Sequence, residues 1–113
     1  MHEMSLCEGL LQVIEDSAVR ENFSRVKTVW LEFGRFSCIE PEAMRFSFDV
    51  VVKGTLADGA KLEMIEVPAS IWCSICAKEV DIGQRFEPCP LCGTYALQIS
   101  GGDEMRIKEL EVI

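Results

Sequence analysis

The 113-residue sequence has little positive charge and no long apolar run. The first feature argues against a nucleic-acid partner, and the second argues against a membrane span. Eleven lysine and arginine residues stand against 19 aspartate and glutamate residues, which gives a formal net charge of -8. Because a nucleic-acid binder needs a positive surface that displaces counterions, this charge argues against nucleic acid as a partner. No apolar run reaches the roughly 18 residues of a membrane-spanning helix, so we expect no membrane span.

Catalytic motifs are also missing. His2 is the only histidine, so neither a second histidine for a triad nor an H-E-x-x-H pair exists, and no glycine-rich phosphate loop appears. We therefore predict that the chain is not an enzyme. The start of the chain lacks a basic segment followed by an apolar stretch, so we expect no signal peptide and a cytoplasmic location. In a reducing cytosol, paired cysteines hold metal more often than they form disulfides.

Four of the six cysteines form two C-x2-C pairs separated by twelve residues: Cys73, Cys76, Cys89 and Cys92. Each pair places two thiolates on one tight turn, and the spacer lets the two turns face each other. This spacing predicts a closed tetrahedral site for Zn2+, with a structural role because four thiolates leave no open position. A redox dithiol would need one pair alone. Iron–sulfur ligation by the same four thiolates is the remaining alternative.

The rest of the chain predicts an α+β fold. Apolar spacing predicts helices over 5–20, with Ser5 as N-cap, and over 41–53, with Pro41 in the first turn. Strands are predicted over 25–33, 60–67 and 105–112, and the first is expected to be an inner strand because both of its faces are apolar. We expect the last strand to return to the first sheet, which makes the cysteine-bearing segment an insertion.

The predicted domains are therefore 1–67 plus 102–113, and 68–101 for the zinc-binding domain. The predicted core of the second domain is thin, so we expect it to need its metal to fold. Its members are Ile71, Trp72, Ile75, Val80, Ile82, Phe86, Tyr95 and Leu97.

Metal donors of a second kind stand at the start of the chain, in Met1-His2-Glu3, which we expect to be an exposed segment ahead of the first helix. The amine of Met1, the backbone nitrogens of His2 and Glu3 and the imidazole of His2 form a square-planar nitrogen set that suits Ni(II) or Cu(II). The imidazole and the Glu3 carboxylate, with water, would suit octahedral Ni(II). A single histidine is more often an ordinary residue, so these residues alone leave a metal role open.

Four further residues have a structural interpretation, and three of them have a metal-binding interpretation as well. Cys7 and Cys38 are expected to be small buried apolar residues, although Cys7 lies close enough in sequence to His2 to reach a metal there. Glu40 and Glu42 flank Pro41 at a helix start, where carboxylates complement the helix dipole. A carboxylate ligand for the second metal is the weaker alternative.

Several segments together resemble the HypA/HybF family, over essentially the whole chain and in order. The N-terminal MHE sequence combined with the downstream C-x2-C pairs is the specific feature. The other matching segments are Leu31-Glu32-Phe33-Gly34, Ile39 to Phe46, Gly54-Thr55 and Gly59 to Glu63.

The resemblance implies a nickel metallochaperone for maturation of [NiFe]-hydrogenase, and in some cases of urease. It implies two helices on a small three-stranded sheet, with an inserted zinc-ribbon-like domain. His2 would be the indispensable nickel ligand, assisted by Met1 and Glu3, and the four paired cysteines would hold structural zinc.

Implied partners are a nickel-binding GTPase of the HypB type and the hydrogenase large-subunit precursor. Urease accessory proteins and a second copy of the chain stay open as further partners. Some relatives carry another histidine near the zinc domain as a nickel ligand, which this chain lacks. The competing hypothesis is a zinc-ribbon adaptor that acts by protein contacts and has no nickel role.

Overall fold

The structure is a computed structural model that describes residues 3–113, apart from the side chains of Ser70 and Ser100. The predicted nickel ligands Met1 and His2 lie outside the described residues. Two helices and six strands follow one another along the chain. In order they are α1 (Glu3–Glu21), β1 (Val26–Gly34), α2 (Pro41–Val51), β2 (Lys61–Val67), β3 (Ser70–Cys73), β4 (Lys78–Val80), β5 (Leu97–Ser100) and β6 (Met105–Val112).

Helix α1 forms because apolar residues recur at three- and four-residue steps, and Cys7, Leu10 and Ile14 make its buried face. The described helix begins at Glu3, two residues before the predicted N-cap Ser5. The N-cap prediction and the placement of Glu3 ahead of the helix are therefore wrong. An acidic residue in the first turn complements the positive end of the helix dipole, which favours this earlier start.

Helix α2 begins where predicted. The Glu40 side chain accepts a hydrogen bond from the backbone N–H of Glu42 at 3.3 Å, and Pro41 occupies the first turn, where its missing N–H costs nothing. Met44 and Phe48 are fully buried and face α1 within the same compact unit. The helix ends at Val51, two residues before the predicted end.

The first sheet has the strand order β2-β1-β6. The inner position of β1 confirms the prediction drawn from its two apolar faces, and Val29, Leu31 and Phe33 are buried. The last strand returns to this sheet, as predicted. With its two helices and this three-stranded sheet, the chain has the predicted α+β architecture.

By internal contacts the chain divides into two compact units. Unit 1 comprises Met1–Leu31, Ile39–Ile65 and Ile107–Ile113, and unit 2 comprises Glu32–Cys38 and Glu66–Arg106. Compared with the predicted zinc-binding domain, unit 2 also contains Glu32–Cys38 and residues 66–67 and 102–106. Contacts alone do not test whether residues 68–101 fold as a separate domain, so that part of the prediction stays a prediction.

Unit 2 contains the second sheet, in the order β4-β3-β5, with antiparallel pairing on both sides of β3. Its buried cluster is small: Phe36, Ala69, Ile71 and Ile82, with Val80 and Leu97 packed against it. The predicted core is wrong for four residues, which are exposed: Trp72, Ile75, Phe86 and Tyr95. With so little apolar area to bury, this unit gains little from hydrophobic packing.

Two glycines make a close backbone approach inside unit 2. A Cβ on Gly34 would overlap the backbone carbonyl group of Gly102, and a Cβ on Gly102 would lie 2.8 Å from the Cβ of Ala69. Gly102 also has a φ of +95°, which an L side chain adopts only under strain. The N–H of Gly34 donates to the carbonyl of Glu104 at 2.8 Å, so the approach is fixed by a backbone hydrogen bond.

No helix among residues 3–113 combines the length and the apolar character that crossing a bilayer requires.

Replacing Gly34 with Ala tests this close approach. The new methyl group has backbone as its neighbour, which cannot rotate away, so we expect Gly34→Ala to lower the free energy of unfolding by about 1–3 kcal/mol. The measurement is urea unfolding of the zinc-loaded protein. Gly9→Ala is the matched control: Gly9 lies in α1, and no atom lies within 4 Å of the place that a new methyl group would take, so this change should stabilise by up to about 1 kcal/mol. Equal midpoints for the two variants would contradict the packing described.

Candidate metal centre

The four cysteines of the two C-x2-C pairs meet at one point in unit 2. Their sulfur atoms all lie within 4.8 Å of one another. The Sγ atoms of Cys73 and Cys92 are 3.7 Å apart, and those of Cys76 and Cys89 are 3.9 Å apart. A disulfide would bring two sulfurs to about 2.05 Å. A tetrahedron with metal–sulfur bonds of about 2.3 Å has edges of about 3.8 Å. The separations therefore fit four thiolates around one tetrahedral metal ion.

The first pair lies in the connection between β3 and β4. Cys73 is the last residue of β3, and Ala77 adopts a φ of +53° that turns the chain back into β4. The backbone N–H of Cys76 donates to the sulfur of Cys73 at 3.4 Å. Such N–H donors stabilise a thiolate and fix the direction in which the sulfur points.

The second pair lies in a turn before β5 and repeats this arrangement. The N–H of Leu91 donates to the sulfur of Cys89 at 3.4 Å. The turn is closed by the N–H of Cys89, which donates to the carbonyl of Thr94 at 2.8 Å. Gly93 has a φ of +75°, where glycine carries no steric penalty. In each pair the first cysteine, Cys73 or Cys89, is buried and accepts an N–H bond.

The sulfurs differ in how readily they lose a proton. Burial raises the pKa of Cys89, but N–H donation from Leu91 and Cys92 and the neighbouring thiols lower it, and the resulting pKa is about 7. Hydrogen bonding with Cys92, then loss of solvent and the other two thiols, raise the pKa of Cys76 to about 12. The metal-free cluster therefore keeps some protons, and a divalent metal ion displaces them when it binds.

Because both pairs contribute to one cluster, they do not form two separate redox dithiols, and the interpretation as a metal site is favoured. Among residues 3–113 no other group of three or more histidine, cysteine, aspartate or glutamate donors is gathered in this way. All four predicted zinc ligands are brought together, and the described part of the chain adds no ligand that the sequence missed.

Of the three predicted nickel ligands, Glu3 alone falls among the described residues. It lies in the first turn of α1 and is half-buried. Its charge is felt by Cys7, one turn further along the helix.

A family model described as "Hydrogenase/urease nickel incorporation, metallochaperone, hypA" matches residues 1–112 of the chain. The chain belongs to the HypA family. The hydrogenase maturation factor HypA of Rhodopseudomonas palustris is 55% identical over 112 residues, which cover 99% of both chains. The protein of the same name from Albidiferax ferrireducens is 54% identical over the same shares.

Solved structures agree with this assignment at the level of the fold. The solution structure of the Ni metallochaperone HypA from Helicobacter pylori matches with a TM-score of 0.72 at 22% identity, covering 100% of this chain and 98% of that one. A second solution structure, of a HypA protein, matches with a TM-score of 0.71 at 21% identity over 100% and 97% of the two chains. The fold predicted from the resemblance to HypA is thus confirmed.

The two cysteines outside the cluster have different surroundings. Cys7 is buried, as predicted, and its sulfur lies 3.7 Å from the Met44 sulfur and 3.6 Å from the Met44 carbonyl oxygen. Burial, followed by the nearby Glu3 charge, raises the pKa of the Cys7 thiol to about 11, so it is a neutral thiol at physiological pH. Cys38 is exposed, which makes the prediction for it wrong. It sits in the turn after β1 with a φ of +61°, a connection that runs over the surface.

Glu40 has the structural role described for α2, because its side chain caps the helix through the N–H of Glu42. Glu42 lies in the first turn, where it complements the helix dipole. The structural interpretation of both carboxylates is therefore supported.

Replacing one buried cluster cysteine tests the metal centre. We expect Cys89→Ser to reduce bound zinc from about one ion per chain to near zero and to unfold β3, β4 and β5, because structural zinc supplies about 10–16 kcal/mol of binding free energy. Cys38→Ser is the matched control and should keep its zinc. Metal content is read by mass spectrometry and unfolding by NMR. A Cys89→Ser protein that keeps its zinc and its folded strands would contradict the assignment of Cys89 as a metal ligand.

Alkylation tests the placement of the other two thiols. In the zinc-loaded protein, iodoacetamide at mildly alkaline pH should modify the exposed Cys38 rapidly. Cys7 should stay unmodified until the protein is unfolded, since burial and its raised pKa keep the reactive thiolate scarce. Peptide mapping by mass spectrometry gives both rates. Comparable rates at the two positions would show that α1 does not bury Cys7 as described.

Proposed function

We propose that this chain binds one Ni(II) ion through Met1-His2-Glu3 and delivers it to the precursor of the [NiFe]-hydrogenase large subunit. The observation that carries the proposal is the match of residues 1–112 to a family described by nickel incorporation. The N-terminal sequence MHE supports it, because it gathers amine, backbone nitrogen, imidazole and carboxylate donors within three residues.

Two separate donor sets support different roles for two metals, a structural role for zinc and a cargo role for nickel. The cysteine cluster offers four thiolates, which Zn2+ saturates in a closed tetrahedral site. We assign it a structural role, since a saturated ion offers no position to a cargo metal or a substrate. The N-terminal donors are nitrogen and oxygen atoms at a chain end, where ligands are exchanged one at a time when a partner offers better ones.

The buried thiol of Cys7 supports a nickel shell made of nitrogen and oxygen. It lies one turn from Glu3, yet its raised pKa keeps the proton on its sulfur. Binding through this sulfur would cost its proton and also its buried contact with Met44, whereas the four cluster sulfurs already face one another, so Cys7 is a weak competitor for the metal. The shell is then completed by Met1, Glu3, solvent or a partner's side chain around His2.

The proposed partners are a nickel-binding GTPase of the HypB type and the hydrogenase large-subunit precursor, in the cytoplasm, with urease accessory proteins as a second destination. The family description names both hydrogenase and urease, and the curated relatives are named as hydrogenase maturation factors. We propose no catalytic activity for the chain, whose part in maturation is to carry the metal.

Calorimetric titration with Ni(II) tests the proposal on untagged, zinc-loaded protein. Wild type should bind about one nickel per chain, and His2→Ala should lose that site while it keeps its zinc. Glu42→Gln, which changes a helix-start carboxylate, is the control and should bind as wild type does. In cells, His2→Ala should abolish hydrogenase maturation at limiting nickel.

Glu3→Gln separates the two candidate nickel shells. If backbone nitrogens complete a square-planar shell, this variant should bind nickel normally and the complex should be diamagnetic. A carboxylate ligand in an octahedral shell predicts weaker binding and a paramagnetic complex. Equal nickel binding by wild type and His2→Ala, with maturation intact, would instead favour the competing hypothesis of a zinc-ribbon adaptor that acts by protein contacts.

A further inference from the structure

Strand β5 (Leu97–Ser100) has one side without a strand neighbour in the described part of the second sheet, whose order is β4-β3-β5. Its pairing with β3 places Leu97 opposite Cys73 and Ile99 opposite Ile71. The N–H of Ser74 donates to the carbonyl of Ala96, the next pair in the same register. Hydrogen-bonded pairs alternate along an antiparallel ladder, so the backbone groups of Leu97 and Ile99 point away from β3. The N–H of Leu97 donates to the carbonyl of Tyr95 at 2.8 Å, so the groups offered to a new strand are the Leu97 carbonyl and the N–H and carbonyl of Ile99.

A groove of about 240 Å³ lies beside this strand, entirely within unit 2. It is lined by Ile82, Phe86, Glu87, Tyr95, Leu97 and Ile99. Small-molecule sites usually measure about 300–1,000 Å³, so this groove suits one or two side chains rather than a cofactor. An outward-facing strand edge next to apolar side-chain space is the arrangement by which folded domains add a peptide as an extra strand.

Two aromatic side chains of the groove stand in solvent. Phe86 is 88% exposed and Tyr95 is 73% exposed. Phe86 also has a φ of +71°, a conformation that costs a bulky residue about 1–3 kcal/mol. The Glu87 carboxylate accepts hydrogen bonds from the N–H groups of Gly83 and Gln84, which hold this loop in place. The fold thus maintains a strained aromatic residue that contributes little to its own core.

The charge of the groove indicates what it accepts. Of its six lining residues five are uncharged, one is acidic, and none is basic. Zinc held by four thiolates adds roughly two negative charges to the same unit. A cationic side chain is therefore complementary to this surface, whereas a second copy would bring Glu87 to Glu87 and add its own formal charge of -8.

We propose that the edge of β5 and the adjoining groove bind an extended segment of a partner protein, with apolar residues at alternate positions and a lysine or arginine beside them. The segment pairs with the outward backbone groups of β5. Its alternate side chains pack against Phe86 and Tyr95, and its cation lies near Glu87. The proposed surface uses none of the proposed N-terminal nickel donors, so the two proposals are tested independently.

A phage library of random decapeptides, panned on the full-length zinc-loaded chain, tests the predicted occupant. Enriched peptides should carry apolar residues at every second position with lysine or arginine next to them. Absence of enrichment would overturn the proposal, as would enrichment of peptides with helical spacing or acidic flanks. The strongest binder is then synthesised as the probe for the variants.

Variants distinguish the groove from other exposed apolar surface. Phe86→Ser and Tyr95→Ser should each weaken binding of the synthetic peptide about tenfold or more, equivalent to about 1.4 kcal/mol. Trp72→Ser is the matched control: Trp72 is 43% exposed and pairs with Gln98 on the opposite face of the sheet, so binding should stay within about twofold. A larger loss in the control than in the groove variants would overturn the proposal.

Amide hydrogen exchange tests strand addition itself. Peptide binding should slow exchange of the Ile99 amide, which points outward, and leave that of Gln98, which points toward β3, little changed. Ile99→Pro removes the outward N–H at an edge position where proline is tolerated, and should abolish binding with zinc content unchanged. Binding without added protection at Ile99 would show that the groove takes side chains only and would overturn strand pairing.

Discussion

The thiolate cluster is the constraint on which unit 2 depends. The buried apolar cluster there has four members, too few to offset the conformational entropy lost when three short strands and two tight turns become ordered. One metal ion held by the four sulfurs would join the turn after β3 to the turn before β5 and would supply the missing free energy. Ala77, directly after Cys76, has a φ of +53° that a non-glycine residue adopts at a cost, and a metal held by Cys73 and Cys76 would fix that turn.

A cluster saturated by its own metal would leave a cargo metal to donors of another kind. Four thiolates suit Zn2+ and the proposed N-terminal nitrogen and oxygen donors suit Ni(II), so ligand chemistry would direct each metal to its own proposed site. Cys7, one turn along α1 from Glu3, is packed against Met44 and kept protonated. Its sulfur is therefore a poor competitor with the proposed nickel donors.

The chemistry of the metal cluster was predictable from sequence because it depends on residue type and local spacing, and the four cysteines meet as the C-x2-C pairs predict. The inner position of β1 was predictable for the same reason, since this strand is apolar on both faces. Contacts between residues far apart in sequence, and the exposure of single residues in connections, could not be predicted from local patterns. The close approach of Gly34 and Gly102, far apart in sequence, leaves no local pattern, and neither does the exposure of Cys38 in a turn with positive φ.

Sequence patterns fail most clearly for the aromatic residues of unit 2, and the cause is physical. Hydrophobicity predicts that burying an apolar side chain lowers the free energy. It does not predict whether the side chain is buried in the core of its own chain or against another molecule. Phe86 and Tyr95 lie outside the small buried cluster of unit 2 and are exposed. A small unit stabilised only by packing needs its aromatic residues in its core, whereas a unit stabilised by a metal would not. A structural metal would therefore leave Phe86 and Tyr95 available for the proposed binding surface.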